Sequence, residues 1–111
     1  NLPLKTLKKR ADFLAAAKSG LRRGTLSFNL QANPNGTEQI RIGYTVSKRV
    51  SKLAVVRNRV KRRLKAAAKK GFESARPGFD YVLVGKLEAE RRDMKLLEGD
   101  IKYALKKIFS E

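Results

Sequence analysis

The chain contains no cysteine and no histidine. Disulfides, thiol nucleophiles and zinc sites of the usual ligand types are therefore excluded. So is acid–base chemistry carried by imidazole. Acidic residues are scarce: ten Asp and Glu face twenty-seven Lys and Arg, and none stands between Glu38 and Glu73. Long apolar runs are also missing. No stretch approaches the roughly eighteen apolar residues that would cross a bilayer, so no membrane partner is expected. No charged segment followed by an apolar core opens the chain, so secretion has no support. A start at Asn1 rather than Met suggests that a few leading residues precede it.

What is present is a moderate apolar content and a large positive charge. The 111 residues fit one domain, 1–111. Apolar residues make up 41% and are spread along the chain, which favours a folded domain over a disordered basic tail. The formal charge of +17 destabilises a compact state unless a polyanion relieves it. Charge of that size in one small domain marks a nucleic-acid binder.

Periodicity supplies the elements. Leu7, Ala11 and Leu14 recur at helical spacing, with Ser19-Gly20 as a stop, and predict a helix over residues 6–18. Leu26, Phe28, Leu30 and Ala32 alternate with polar residues and predict a half-buried strand. The turn Asn33-Pro34-Asn35-Gly36 leads to a second alternating run, Ile40, Ile42, Tyr44 and Val46, expected to pair antiparallel with the first. Val56, Val60, Leu64 and Ala67 or Ala68 then mark a helix ending near Gly71. Tyr81-Val82-Leu83-Val84 reads as a buried strand, and Met94, Leu97, Ile101, Leu105 and Ile108 as an amphipathic closing helix. The order αββαβα is that of an α+β two-layer sandwich.

The helix near position 60 carries the clearest functional signal. Lys48 to Lys70 holds eleven Lys or Arg in twenty-three residues. At about 100° per residue, Val56, Val60, Leu64 and Ala67 fall on one side. Asn58, Lys61, Arg62, Lys65 and Lys69 fall on the other, while Arg57 and Arg63 flank the stripe and Arg59 sits at the side. A solvated helix normally mixes signs, because like charges one turn apart repel. Here the repulsion is unrelieved for about four turns, and phosphates supply the missing counter-charge. Asn58 adds an uncharged donor and acceptor for a base edge or sugar hydroxyl. Composition alone does not separate RNA from DNA.

Two smaller features have two readings each. Phe13 lies off the Leu7–Ala11–Leu14 stripe; such an aromatic either widens the core face or stacks on a base. Glu88 and Glu90 stand close together and could in principle bind a metal, but a charged loop before a helix is the simpler reading, with Asp93 as its N-cap. No catalytic residue and no metal ligand is assigned.

Arg57-Asn58-Arg59-Val60-Lys61-Arg62 resembles the RNR-x-KR signature of the bacterial ribonuclease P protein subunit. Upstream, Tyr44-Thr45-Val46-Ser47-Lys48-Arg49-Val50 looks like the strand and loop that precede that signature. Asp12-Phe13, Phe28 and Gly78-Phe79-Asp80-Tyr81-Val82 match other family positions in order. The resemblance implies a ribosomal-protein-S5-domain-2-like sandwich with a left-handed βαβ crossover. It implies a cytoplasmic protein monomer in a 1:1 ribonucleoprotein that removes the 5′ leader of precursor tRNA. The catalytic RNA would carry the active site and hold Mg²⁺, and the protein would bind no cofactor itself. Arg57, Asn58, Arg59, Lys61, Arg62, Lys65 and Lys69 would face the catalytic RNA. Phe13, Asn29, Gln31, Thr45, Ser47, Lys48 and Arg49 would line or rim a separate cleft for the leader. The chain departs from the family pattern at Ala17 and Gln31, where aromatics are common, and in the loop Ser51-Lys52-Leu53. The alternative is a small basic ribosomal or other structural RNA-binding protein, which would co-sediment with ribosomes. A protein-only nuclease lacks the necessary residues.

Overall fold

A computed structural model describes residues 3–110; Asn1, the basis for expecting earlier residues, lies outside that range. The elements are β1 (Leu4–Thr6), α1 (Arg10–Lys18), β2 (Leu21–Gly24), β3 (Phe28–Pro34), β4 (Ile40–Thr45), α2 (Ala54–Gly71), β5 (Phe79–Gly85) and α3 (Met94–Ile108). A short 3-10 turn, Leu87–Glu90, joins the last two. Five strands form one mixed sheet in the order β1-β4-β5-β3-β2. Three helices cover it, as an α+β sandwich requires. No helix of the described residues is long and apolar enough to cross a membrane.

The apolar segment Tyr81-Val82-Leu83-Val84 occupies the middle of the sheet. It pairs antiparallel with β3 and parallel with β4. This corrects the hairpin expected between β3 and β4, which never pair with each other. Both faces and both edges of β5 carry groups that must be covered, and insertion between β3 and β4 covers them. The turn after Pro34 does reverse the chain, but it straddles the start of β5. The Asn35 N–H donates to the Gly78 carbonyl at 2.9 Å, and the Gly78 N–H to the Gln39 carbonyl at 3.0 Å.

Strand alternation sorts side chains onto two faces. Phe28, Leu30, Ala32, Ile40, Ile42, Tyr81 and Leu83 join Val60, Leu64, Ala67 and Ala68 of α2 and Leu97, Ile101, Ala104 and Ile108 of α3 in the main core. Gly71 lets the two helices meet: a Cβ there would sit 2.6 Å from Ile101 Cγ2. Phe72 and Tyr81 stack edge-on at 5.2 Å, and the buried Tyr81 hydroxyl donates to the Arg76 carbonyl at 2.6 Å. On the opposite face, Leu7, Ala16 and Val82 form a smaller cluster beneath α1.

Three further expectations change. The first helix begins at Arg10, not residue 6; Leu4–Thr6 pair parallel with Ile40–Ile42 instead, and the Leu7 N–H extends the ladder to the Ile42 carbonyl. Backbone pairing along an otherwise bare edge outweighs helical propensity here. Ala11 and Leu14 consequently face solvent, and α1 seats through Phe13 and Ala16. The first alternating strand starts at Phe28, leaving Leu26 exposed in a turn where the buried Ser27 hydroxyl donates to Asp100 at 2.7 Å. Finally, residues 21–24 add an edge strand beside β3.

Asp80 is buried on the α1 side of the sheet. Arg41 clamps it through two hydrogen bonds of 2.6 and 2.8 Å, and the Asn35 amide adds a third at 3.1 Å. The carboxylate's hydrogen bonds in turn push the Arg41 pKa up. Removing one partner of such a pair leaves the other unsatisfied. Asp80→Ala should cost about 1–3 kcal/mol in urea unfolding, more than removal of the exposed Glu38.

Candidate nucleic-acid interface

Helix α2 is the return path between the parallel strands β4 and β5. Its apolar side faces the sheet, so its basic side must face outward. Asn58, Arg62, Lys65 and Lys69 are exposed, and Lys61 is half-buried. The arginines nearer the core side are tied into the fold. Arg57 donates to the Ser51 carbonyl at 2.8 Å and closes the loop before the helix. Arg63 donates to the carbonyls of Ala89 and Arg92. Arg59 pairs at 2.6 Å with Glu90, whose side chain is only 13% exposed. Glu90 is thus more than part of a charged loop: it anchors an arginine of the basic block. Asp93 caps α3 by accepting from the Lys95 N–H at 3.1 Å, as expected.

The second group of predicted residues lies on the α1 face of the sheet. The register aligns Asn29, Val84 and Thr45 in one row, and Gln31, Val82 and Gly43 in the next. The Phe13 ring lies directly over Gly43: a Cβ at that position would sit 2.5 Å from Phe13 Cε1 and Cζ. Phe13 therefore packs on the sheet and is not off the seating side of α1. It remains half-buried, and its ring also walls two cavities.

One cavity, about 360 Å³, runs past Lys8, Arg10, Phe13, Leu14, Tyr44 and Thr45. A second, about 240 Å³, passes from Phe13 and Gly43 across Tyr44 to Lys61, Arg62 and Lys65. A third, about 150 Å³, continues from Tyr44 to Lys65 and Lys69 along β1. Tyr44 borders all three. The groove exists because β1 is short: its pairing with β4 ends at Thr6 opposite Ile42, and among the described residues no strand pairs with that edge of β4 beyond. Burial pushes the Tyr44 phenol up to about 12.

The two predicted sites are thus continuous through Tyr44 rather than separate. The groove brings together Phe13, Thr45, Lys61, Arg62, Lys65 and Lys69. It does not include Asn29 and Gln31, which lie across β5, nor Ser47, Lys48 and Arg49, which stand in and beside the turn after β4. Tyr44, Lys8, Arg10 and Leu14 join the site as well, although the sequence pattern marks Tyr44 and Leu14 only as strand and helix residues. Alternation with Ile40 and Ile42 counts Tyr44 inward; its hydroxyl at a strand end is the available signal. Of the departures, Ala17 is exposed and its carbonyl accepts from the Arg22 guanidinium, and Ser51 supplies the carbonyl held by Arg57.

Comparison with known proteins supplies the context. The family model described as Ribonuclease P matches residues 3–109. The ribonuclease P protein component of Ruegeria pomeroyi is 42% identical over 110 residues, covering 95% of this chain and 86% of that protein. The component from Paramagnetospirillum magneticum is 41% identical, covering 95% and 83%. Among solved structures, the RNase P protein from Thermotoga maritima superposes with a TM-score of 0.80 at 26% identity, covering 96% of this chain and 99% of that one. The Staphylococcus aureus RNase P protein gives 0.74 at 25% identity, covering 95% and 97%.

The close seat of Phe13 on Gly43 can be tested. Gly43→Ala should displace the ring and lower stability by roughly 1–3 kcal/mol in chemical denaturation, the range for overpacking. Phe13→Leu combined with Gly43→Ala should recover part of that stability.

Proposed function

The chain belongs to the ribonuclease P protein family, and from that membership we propose that it is the RNA-binding subunit of a ribonuclease that removes the 5′ leader of precursor tRNA. In this reading the catalytic RNA carries the active site. Asn58, Lys61, Arg62, Lys65 and Lys69 on α2 meet its phosphates, while Arg57 and Arg59, held by Ser51 and Glu90, brace the start of that surface. The precursor leader lies in the groove at Phe13 and Tyr44, with Thr45 beside it and Lys8 and Arg10 neutralising its backbone. Asn29, Gln31, Ser47, Lys48 and Arg49 act further along the same strand path. One protein chain joins one catalytic RNA.

The observation that carries this reading is the continuous groove, apolar and aromatic at Phe13 and Tyr44, cationic at Lys61, Arg62 and Lys65. A single strand needs a stacking surface with positive charge along it. A structured RNA needs a dense phosphate-facing charge. The groove offers the first and α2 the second, side by side.

In this reading the protein itself holds no metal. Asp80, Asp100 and Glu90 are each paired with an arginine, and among the described residues no three acidic side chains converge. When bound by the RNA, Mg²⁺ supplies the charge stabilisation for phosphodiester cleavage. The protein's part is to screen phosphate repulsion and hold the leader extended.

Replacing Arg62, Lys65 and Lys69 with Ala should weaken binding to the catalytic RNA. It should also flatten the dependence of log K on log salt, by about 0.7–0.9 for each phosphate no longer neutralised. Phe13→Ala should spare that binding and cost roughly 1–3 kcal/mol in affinity of the complex for precursor tRNA, with little effect on mature tRNA. Binding isotherms over a salt series measure both. Equal losses of affinity for precursor and mature tRNA would contradict a leader role for Phe13.

A further inference from the structure

Strand β2 closes the sheet on the side away from the groove, and among the described residues only one of its edges is paired. Arg22 and Arg23 are both exposed there. Arg23 lies opposite Leu30, on the face covered by α3. Its guanidinium stands 5.6 Å from the Tyr103 ring centroid and donates to the Tyr103 hydroxyl at 3.1 Å. Lys107 Nζ lies 6.0 Å from the same ring. Tyr103 is nonetheless 47% exposed.

The outer stripe of α3 repeats the exception. Positions 96, 99, 103 and 107 share one helical face. Leu96 is exposed, and Gly99 sits mid-helix with nothing within 4 Å of where a Cβ would be. An exposed helical Gly costs about 1 kcal/mol against Ala, and no packing among the described residues recovers it. A role limited to stapling β2 onto α3 would need Arg23 and Tyr103 only. It gives no reason for the bare Gly99, the exposed Leu96 or the second cation at Lys107. A planar ring with two cations near it, beside a shallow gap on the helix, suits a base with its flanking phosphates. The nearby Asp100 offers no counter-charge, because Arg92 and Ser27 already hold it.

We propose that this edge is a second RNA-contact site, in which a single-stranded segment stacks a base on Tyr103 and its phosphates meet Arg23 and Lys107. The site is independent of the reading given to the groove. It lies on α3 and the β2 edge of the sheet, whereas the groove runs along the β4 edge. A single RNA engaging both would have to pass around the protein. Pairing of β2 with a second copy of the chain would set Arg22 and Arg23 against their own kind, which disfavours that occupant.

The test uses the full chain carrying Phe13→Ala with Arg62, Lys65 and Lys69 replaced by Ala, which weakens the groove and the α2 face, and oligouridylate containing photoreactive thiouridine as probe. Irradiation should give adducts on the peptide that contains Tyr103. Tyr103→Leu should weaken binding roughly 5- to 150-fold, while Tyr103→Phe, which keeps the ring, should bind within about twofold of its parent. Arg23→Gln with Lys107→Gln should lower the salt slope by about 1.4, at about 0.7 for each single-strand phosphate. Thermal melts establish that each variant is folded. Unchanged affinity in a folded Tyr103→Leu variant, or adducts confined to α1, β4 and α2, would overturn the proposal.

Discussion

Strand β5 is hydrogen-bonded on both edges, antiparallel to β3 and parallel to β4, and the placement of the basic helix and of the groove beside it follows from that. Parallel neighbours cannot be joined by a tight turn; they need a crossover, usually a helix. Residues 46–78 supply it, and α2 must lie across the sheet with Val60, Leu64, Ala67 and Ala68 inward. Its basic residues are then forced outward in a block. The same parallel rule adds β1 to β4, but for only three residues. Among the described residues the remaining edge of β4 stays open beside Tyr44, and the groove forms there.

Charge is arranged around this frame with economy. The described ion pairs use Asp80, Glu90 and Asp100, and each joins a different arginine. Asp80 ties β5 to β4 through Arg41. Glu90 ties the turn after β5 to α2. Asp100 ties α3 to Arg92 and, through Ser27, to the turn before β3. With these acids committed to the fold, the outward lysines and arginines repel one another until an external polyanion arrives. The free energy released when phosphates replace that repulsion is available for RNA binding.

The helix and strand identities near the core are legible in the sequence, because burial imposes periods of about 3.6 and 2 on residues such as Val60-Leu64 and Phe28-Leu30. Strand pairing is not. A β3–β4 hairpin looks local, and only the need of β5 for two neighbours, a long-range requirement, decides against it. The first helix is misplaced for a related reason: Leu7 fits a helical stripe, yet its backbone completes the ladder with Ile42. The basic face of α2 is fully readable, since charge and wheel position are local properties. That Arg57 and Arg59 have protein partners is not, because Ser51 and Glu90 reach them only through the fold. The continuity of the two proposed sites is hidden for the same reason: it depends on where β1 stops.

The central claim is that one continuous surface holds the precursor leader at its α1 end and the catalytic RNA along α2. The absence of native cysteine makes a direct measurement possible, because a single introduced thiol can carry a photo-crosslinker at a known place. With Leu14→Cys and, separately, Lys69→Cys labelled in the assembled complex with precursor tRNA, crosslinked RNA can be mapped. The account predicts that the Leu14→Cys probe marks the 5′ leader and the Lys69→Cys probe marks the catalytic RNA. Crosslinks from Leu14→Cys to the catalytic RNA alone, or from Lys69→Cys to the leader alone, would contradict it.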